Sequence, residues 1–186
     1  MDQRLVNDIK KRMQRPIVMV GLMGCGKTRI GGGLAKALGI PFYDSDHEIE
    51  LAAGMSVPKI FEKFGEDYFR EGERRVLKRL LDQGLCVVAT GGGAVMNEET
   101  AKVIWNHAVC IWLRADLETL VERTSRNKNR PLLQNGNPSE ILEGLMDQRY
   151  PVYANADIVV DSQDGDIKTV INDAMEKLDA YLSQRL

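Results

Sequence analysis

The chain has 186 residues, of which 44% are hydrophobic and 28% charged, with 25 lysines and arginines against 27 aspartates and glutamates. A net charge of −2 gives no general attraction to nucleic acid or to an anionic membrane, so neither is an expected partner. Cys25, Cys86 and Cys110 are odd in number and form no CxxC pair. This pattern excludes a disulfide framework and a zinc site, and it favours a reducing compartment, the cytoplasm.

The first 15 residues lack the apolar core of a signal peptide, and they carry acidic residues that a transit peptide avoids. Their apolar side chains fall on one face of a short predicted helix: Leu5, Val6, Ile9 and Met13. Such a helix either docks on the domain with its basic face in solvent or forms an arm that binds a partner. We treat residues 1–15 as an N-terminal helical extension of a single domain over 16–186.

Short β-rich runs then alternate with longer stretches of helical period, which is typical of βα units on a parallel sheet. The predicted strands cover residues 17–20, 41–44, 86–89, 108–113 and 157–160. The predicted helices cover residues 27–38, 56–64, 66–82, 98–106, 116–124, 139–154 and 166–182. The sequence therefore predicts an α/β fold with a five-stranded parallel sheet.

Two segments interrupt the alternation. A helical insertion at about 45–83 lies between the second and third strands. The polar stretch at about 125–138 is too long for an ordinary connection, and long irregular segments in compact domains are commonly lids or binding loops. We expect a mobile lid there, with a loop of no function as the alternative.

Residues 21–28 read Gly-Leu-Met-Gly-Cys-Gly-Lys-Thr and fit the phosphate-loop pattern GxxxxGK[ST], directly after a predicted strand and before a predicted helix. The glycines let backbone N–H groups point inward as an anion nest at the positive end of that helix. Lys27 can reach the β- and γ-phosphates, and the Thr28 hydroxyl can coordinate Mg²⁺. We expect ATP with Mg²⁺ here; a glycine-rich turn without a ligand is the alternative.

Polar residues follow the second strand, and glycines follow the third. Asp44 and Asp46 lie at the carboxyl edge of the predicted sheet, where ligands bind in open α/β folds. Asp46 either faces that site or caps a helix over 47–53. The third strand runs into Gly91, Gly92 and Gly93, where many phosphate-loop proteins carry an aspartate.

Six separated motifs resemble the shikimate kinase family, which is related to the nucleoside monophosphate kinases. They are residues 21–28, Phe-Tyr-Asp-Ser-Asp at 42–46, Phe-Arg-Glu-Gly-Glu at 69–73, Ala-Thr-Gly-Gly-Gly-Ala at 89–94, Arg-Pro-Leu-Leu at 130–133 and Arg-Tyr-Pro-Val-Tyr at 149–153. The resemblance runs from about residue 16 to the last helix. It implies a P-loop three-layer α/β/α fold with a helical substrate-binding insertion and a lid. It also implies transfer of the γ-phosphoryl group of ATP to the 3-hydroxyl of shikimate, which gives shikimate 3-phosphate and ADP in chorismate biosynthesis.

The resemblance assigns roles to individual residues. The catalytic candidates are Lys27, Asp46, which is also a candidate acceptor of the hydroxyl proton, and Arg130 in the lid. The nucleotide-binding candidates are Gly24, Cys25, Gly26, Lys27, Thr28, Arg29, Arg123 and Arg130. The substrate-binding candidates are Asp46, Arg70, Gly91, Gly92, Gly93 and Arg149, with Arg70 and Arg149 on the substrate carboxylate. Thr28 and Asp44 are the Mg²⁺ candidates.

Several points stay open at this stage. Arg123 either stacks on adenine or only makes a favourable contact at a helix end. Arg29 and the acidic segment near 163–166 depart from the family pattern, which leaves the adenine site undefined. The alternative functions are a related kinase for gluconate or a nucleotide, and a nucleotide-gated binding module. We expect a monomer.

Three further expectations come from local composition. The run Gly31–Gly33 in the helix after the phosphate loop predicts looser packing, because glycine lowers helix propensity. Cys25 lies in a nest of backbone donors near Lys27, so it is either a reactive thiol or an ordinary one. The charged residues Glu71, Glu73, Arg74, Arg75 and Arg79 predict a solvated helix face with i,i+4 ion pairs.

Overall fold

The strands lie within one or two residues of their predicted positions. They are β1 (Ile17–Val20), β2 (Phe42–Asp44), β3 (Val87–Ala89), β4 (Val109–Arg114) and β5 (Ile158–Asp161). All pair in parallel, in the order β2-β3-β1-β4-β5. The computed structural model describes residues 3–125, 136–162 and 166–184. The predicted five-stranded parallel sheet is therefore confirmed.

The helices also follow the predicted order. They are α1 (Gln3–Arg12), α2 (Lys27–Leu38), α3 (Ser45–Ala53), α4 (Val57–Leu81), α5 (Glu98–His107), α6 (Leu117–Ser125), α7 (Pro138–Tyr153) and α8 (Ile167–Ser183). The predicted helices over 56–64 and 66–82 form the two halves of α4, which breaks at Gly65 with φ 82° and ψ 179°. Glycine fits this break because a positive φ is strained for other residues.

Helices cover both faces of the sheet, as the buried strands require. The α2 helix packs against α8, and α1 contacts both of these helices. The connection from β1 to β2, through α2, runs in one direction along the sheet. The three later connections, from β2 to β3, β3 to β4 and β4 to β5, run in the opposite direction. Because parallel crossovers are right-handed, α4, α5, α6 and α7 lie on the other face. The predicted three-layer α/β/α fold is confirmed.

The N-terminal helix docks on the domain. Val6, Ile9 and Met13 are buried in the same apolar core as the sheet. Arg12 forms an ion pair with Asp179 of α8 and donates a hydrogen bond of 2.6 Å to the Ser183 hydroxyl. Of the two interpretations of segment 1–15, the structure supports the docked helix. Among the described residues, no helix combines the length and the apolar character needed to cross a lipid bilayer.

The glycines in the middle of α2 permit close packing, so the expectation of loose packing there is wrong. A β-carbon at Gly31 would lie 3.1 Å from a ring carbon of Phe42 and 3.2 Å from Cγ of Met19. A β-carbon at Gly33 would lie 2.3 Å from Cδ1 of Ile171 in α8. The helix-propensity penalty of these glycines is offset by the close approach of α2 to the sheet and to α8.

This packing predicts opposite effects for two neighbouring substitutions. Gly32→Ala should stabilise the protein by up to ~1 kcal/mol, because its β-carbon meets nothing nearer than 3.9 Å and helix propensity improves. Gly33→Ala gains the same propensity but overpacks Ile171, so its free energy of unfolding should be about 1–3 kcal/mol lower than that of Gly32→Ala. Urea unfolding of both variants measures the difference. Equal stabilities would contradict the close α2–α8 contact.

Candidate active site

A cleft of about 470 Å³ lies at the carboxyl ends of the central strands. Its walls come from the phosphate loop after β1, the aspartates after β2 and the glycines after β3. The lining residues are Met23, Gly24, Gly26, Lys27, Thr28, Arg29, Asp44, Asp46, Thr90, Gly91, Gly92 and Arg123. The fold thus brings most of the predicted nucleotide and metal residues to one place, together with Met23 and Thr90, which the sequence interpretation missed.

The phosphate loop has the backbone geometry that its glycines predict. Gly21, Gly24 and Gly26 have φ values of 142°, 87° and 94°, where other residues would be strained. Gly26 is also the N-cap of α2, so the positive end of this helix faces the loop. Lys27 Nζ donates hydrogen bonds of 2.7 and 2.9 Å to the carbonyl oxygens of Gly21 and Leu22. Its ammonium group is therefore held against the loop.

Cys25 contributes to the loop by packing. The residue is only 1% exposed, and a β-carbon at Gly21 would lie 2.9 Å from its Sγ. This burial restricts access to the thiol, so of the two interpretations of Cys25 the structure favours the ordinary thiol. Burial also raises the pKa of the thiols of Cys86 and Cys110 above the ordinary value.

The two aspartates after β2 have different roles. Asp44 Oδ2 accepts a hydrogen bond of 2.8 Å from the Thr28 hydroxyl. Its Oδ1 accepts a hydrogen bond of 3.1 Å from the Asp46 N–H, which makes Asp44 the N-cap of α3. The alternative in which Asp46 caps this helix is therefore wrong. The Asp46 side chain is left to face the cleft.

The three glycines after β3 form a strip on which charged side chains from three helices rest. A β-carbon at Gly91 would lie 2.9 Å from Oδ1 of Asp46 in α3. A β-carbon at Gly92 would lie 3.4 Å from Nη1 of Arg149 in α7, and one at Gly93 would lie 2.7 Å from Nη2 of Arg70 in α4. The strip therefore places one carboxylate and then two guanidinium groups in a row.

Hydroxyl groups hold this glycine strip in place. The Tyr153 hydroxyl donates a hydrogen bond to the Gly92 carbonyl oxygen, and the Ser45 hydroxyl accepts one of 3.3 Å from the Gly91 N–H. Both residues are fully buried. The sequence interpretation missed both, although each lies inside a motif that it used. The signal available was their position: Ser45 lies between Asp44 and Asp46, and Tyr153 lies four residues after Arg149.

Arg70 is held by a glutamate that the sequence interpretation placed elsewhere. Its Nη1 donates a hydrogen bond of 2.8 Å to Oε2 of Glu73, and its Nη2 donates one of 3.2 Å to Oε1 of the exposed Glu66. Glu73 is 0% exposed, so its assignment to a solvated helix face is wrong. The expected i,i+4 pair forms between Glu71 and Arg75, and Glu71 also pairs with Arg74 three residues away. Arg79 pairs instead with Glu48 of α3.

Burial also shifts the acid–base properties of the site. Loss of solvation raises the pKa of Asp46, and repulsion from Asp44 adds to it, whereas Lys27 and Arg70 lower it in part. Burial likewise raises the pKa of Glu73, although the Arg70 guanidinium acts in the opposite direction. Oε1 of Glu73 is buried without a hydrogen-bond partner among the described residues. Two carboxyl groups of raised pKa therefore lie beside Gly91, where a β-carbon would be 2.9 Å from Asp46 Oδ1 and 3.4 Å from Glu73 Oε1.

The lining of the cleft also includes Arg123 of α6. Its Nη1 donates a hydrogen bond of 2.9 Å to the Ser162 hydroxyl, which follows β5. Arg29 lines the same cleft as an exposed side chain. Arg130, most of the predicted lid and residues 163–165 lie outside the described residues.

Comparison with known proteins points to one family. The family model for shikimate kinase matches residues 23–179. The shikimate kinase of Rhizobium leguminosarum bv. trifolii is 53% identical over 150 residues, which are 81% of this chain and 76% of that protein. The shikimate kinase of Paramagnetospirillum magneticum is 47% identical over an alignment of 189 residues. This alignment covers 98% of this chain and 97% of that protein.

The fold agrees with a solved structure of the same family. The shikimate kinase of Acinetobacter baumannii in complex with shikimate has a TM-score of 0.86 to this chain at 37% identity. The alignment covers 96% of this chain and 99% of that one. At this coverage, the similarity extends over the cleft as well as over the sheet.

The buried carboxylates give a direct test of the site's electrostatics. In a carbon NMR titration of the carboxyl groups, Glu73 should titrate above an ordinary glutamate, because burial disfavours its charge. Glu71 is the control, because its hydrogen bond from Arg74 lowers its pKa. Asp46→Asn removes a like charge and should lower the pKa of Glu73. A Glu73 that titrates at or below the ordinary value would contradict the described burial.

Proposed function

The chain belongs to the shikimate kinase family, and from that membership we propose how its cleft carries out the ATP-dependent phosphorylation of shikimate. The γ-phosphoryl group of ATP is transferred to the 3-hydroxyl of shikimate, and ADP and shikimate 3-phosphate leave. Phosphoryl transfer depends mainly on positioning and on neutralising charge, so each wall of the cleft is assigned to one of these tasks.

The nucleotide binds along the phosphate loop. Its triphosphate lies on the N–H groups of the turn at Gly24 and Gly26, at the positive end of α2. Lys27 turns from the loop carbonyls to the β- and γ-phosphates, a movement that its flexible stem permits. Arg29 and Arg123 line the same cleft and complete the nucleotide side.

The residues present fit Mg²⁺ bound together with the nucleotide. The Thr28 hydroxyl and the Asp44 carboxylate lie 2.8 Å apart, and both are oxygen ligands of the kind that Mg²⁺ prefers. The described residues contain no group of three or more His, Cys, Asp or Glu side chains able to hold a metal alone. Thr28 and Asp44 would therefore hold Mg²⁺ only together with a bound nucleotide, and the ion would supply charge neutralisation on the phosphates.

Shikimate binds on the glycine strip, and the row of charges there is the observation that carries this proposal. Shikimate has a carboxylate at one end of its ring and hydroxyl groups at the other. Arg70 and Arg149, above Gly93 and Gly92, match the carboxylate, and Asp46 above Gly91 matches the hydroxyl groups. Because the glycines have no side chains, these three charged groups lie directly against the backbone, side by side for one small substrate.

Asp46 is the proposed acceptor of the hydroxyl proton. As the hydroxyl oxygen forms its bond to the γ-phosphorus, the bond from that phosphorus to the leaving ADP oxygen breaks, and the proton passes to the Asp46 carboxylate. A raised pKa makes this carboxylate a stronger base than an exposed aspartate. The buried Glu73 fixes Arg70 at the opposite end of the substrate.

The remaining sequence expectations become proposals here. We propose that residues 45–83, which carry Asp46 and Arg70, form the substrate-binding insertion of the domain over 16–186. A monomer stays a prediction. The three cysteines are free thiols, which supports a reducing compartment, and we propose the cytoplasm as the location.

A coupled assay of ADP release tests the proposal and its acceptor residues. Shikimate should stimulate release, whereas gluconate and the nucleoside monophosphates should not. Arg149→Ala should raise the KM for shikimate by roughly ten- to a hundredfold, because a hydrogen bond to a charged group is lost, and leave the KM for ATP unchanged. Arg75→Ala, on the exposed side of α4, is the matched control. Equal losses for both substrates in Arg149→Ala would show that Arg149 has a structural role instead.

A further inference from the structure

Ser162 follows β5 at the carboxyl edge of the sheet and links two parts of the nucleotide side. Its hydroxyl donates a hydrogen bond of 2.7 Å to the Cys25 carbonyl oxygen in the phosphate loop. The same hydroxyl accepts a hydrogen bond of 2.9 Å from Arg123 Nη1. Ser162 is 1% exposed, and its N–H donates a hydrogen bond of 2.7 Å to the Arg114 carbonyl oxygen. One buried hydroxyl thus joins β5, the phosphate loop and α6.

The bond to Cys25 sets the direction of a peptide group in the phosphate loop. In a planar trans peptide the carbonyl and the following N–H point in opposite directions. With the Cys25 carbonyl held toward Ser162, the Gly26 N–H points to the opposite side of the loop. Gly26 lines the cleft and has a positive φ, so its peptide groups can rotate unless they are held. Ser162 therefore opposes the rotation that would misalign this donor.

The bond from Arg123 holds in place a guanidinium group that lines the same cleft. Arg123 stands on α6, whereas the phosphate loop joins β1 to α2. The shared contact with Ser162 fixes the distance between these two elements. A nucleotide has its phosphates on the loop and its base some distance away, so its affinity depends on that distance.

We propose that Ser162 is a positioning residue that aligns the phosphate loop with Arg123, so that the phosphates and the base of ATP bind together. The proposal rests on the assignment of this cleft to ATP. It acts through Cys25 and Arg123 and requires no contact between Ser162 and the nucleotide. Ser162 therefore affects nucleotide binding and leaves the glycine strip, where shikimate binds, unchanged.

The test compares two variants that each remove one hydroxyl. Ser162→Ala should raise the KM for ATP about tenfold, because one buried hydrogen bond and one with a charged donor are lost. The KM for shikimate should stay unchanged. Tyr181→Phe is the control, since the Tyr181 hydroxyl also donates to an oxygen acceptor, the Asp157 carboxylate, and accepts from an arginine, Arg15. Both partners of Tyr181 precede a strand, so this control lies at the opposite edge of the sheet.

A double variant separates positioning from general loss of stability. Each variant raises the KM for ATP by some factor. If Ser162 acts partly through Arg123, the factor for Ser162→Ala/Arg123→Ala should be about threefold or more below the product of the factors for the two single variants. Purely multiplicative effects would overturn the link to Arg123. An unchanged KM for ATP in Ser162→Ala, or an equal rise in Tyr181→Phe, would overturn the positioning role.

The same assay distinguishes this proposal from the proposed function. Failure of the proposed function appears in the unmodified protein, as absence of shikimate-dependent ADP release. Failure of the positioning role appears only in Ser162→Ala, with the unmodified protein fully active. Thermal unfolding of each variant, measured alongside, shows that the folded fraction is the same at the assay temperature.

Discussion

The absence of side chains at Gly91–Gly93 is the constraint on which the rest of the site depends. Asp46, Arg149 and Arg70 come from α3, α7 and α4, and each occupies space that a β-carbon on one of these glycines would enter. Three helices with unrelated positions in the chain can therefore present their charges at one strand end. The Tyr153 and Ser45 hydroxyls anchor the strip from below, so its backbone does not depend on the charged groups above it.

Placing these charges in a partly buried site has an electrostatic cost, and the charges offset one another only in part. Glu73 stabilises the Arg70 guanidinium, yet one of its own oxygens has no hydrogen-bond partner among the described residues. Asp46 repels Asp44 and is attracted by Lys27 and Arg70. Such unfavourable burial is typical of functional sites, where a bound charge completes the balance. In the proposed function, the carboxylate of shikimate pairs with the two arginines and its hydroxyl groups with Asp46.

Much of the fold and part of the site could be predicted from local sequence. The strands and the phosphate loop depend on short-range patterns, and they lie where those patterns place them. The roles of Arg70 and Arg149 came from the family resemblance, since no local rule separates them from surface arginines. The burial of Glu73 could not be predicted, because it depends on the rotation of α4 against the glycine strip. Likewise, the close packing of Gly33 depends on Ile171, a contact that spans most of the chain.

Calorimetric titration of shikimate into a Gly93→Ala protein tests the central role of the glycine strip most directly. Gly93 has φ −98° and ψ −3°, which alanine adopts without strain, so the substitution acts only through its β-carbon, 2.7 Å from Nη2 of Arg70. Displacement of Arg70 should lower shikimate affinity by about tenfold or more and leave ATP affinity unchanged. Gly72→Ala is the control, because its β-carbon meets nothing within 4 Å. Unchanged shikimate affinity in a folded Gly93→Ala protein would contradict the account.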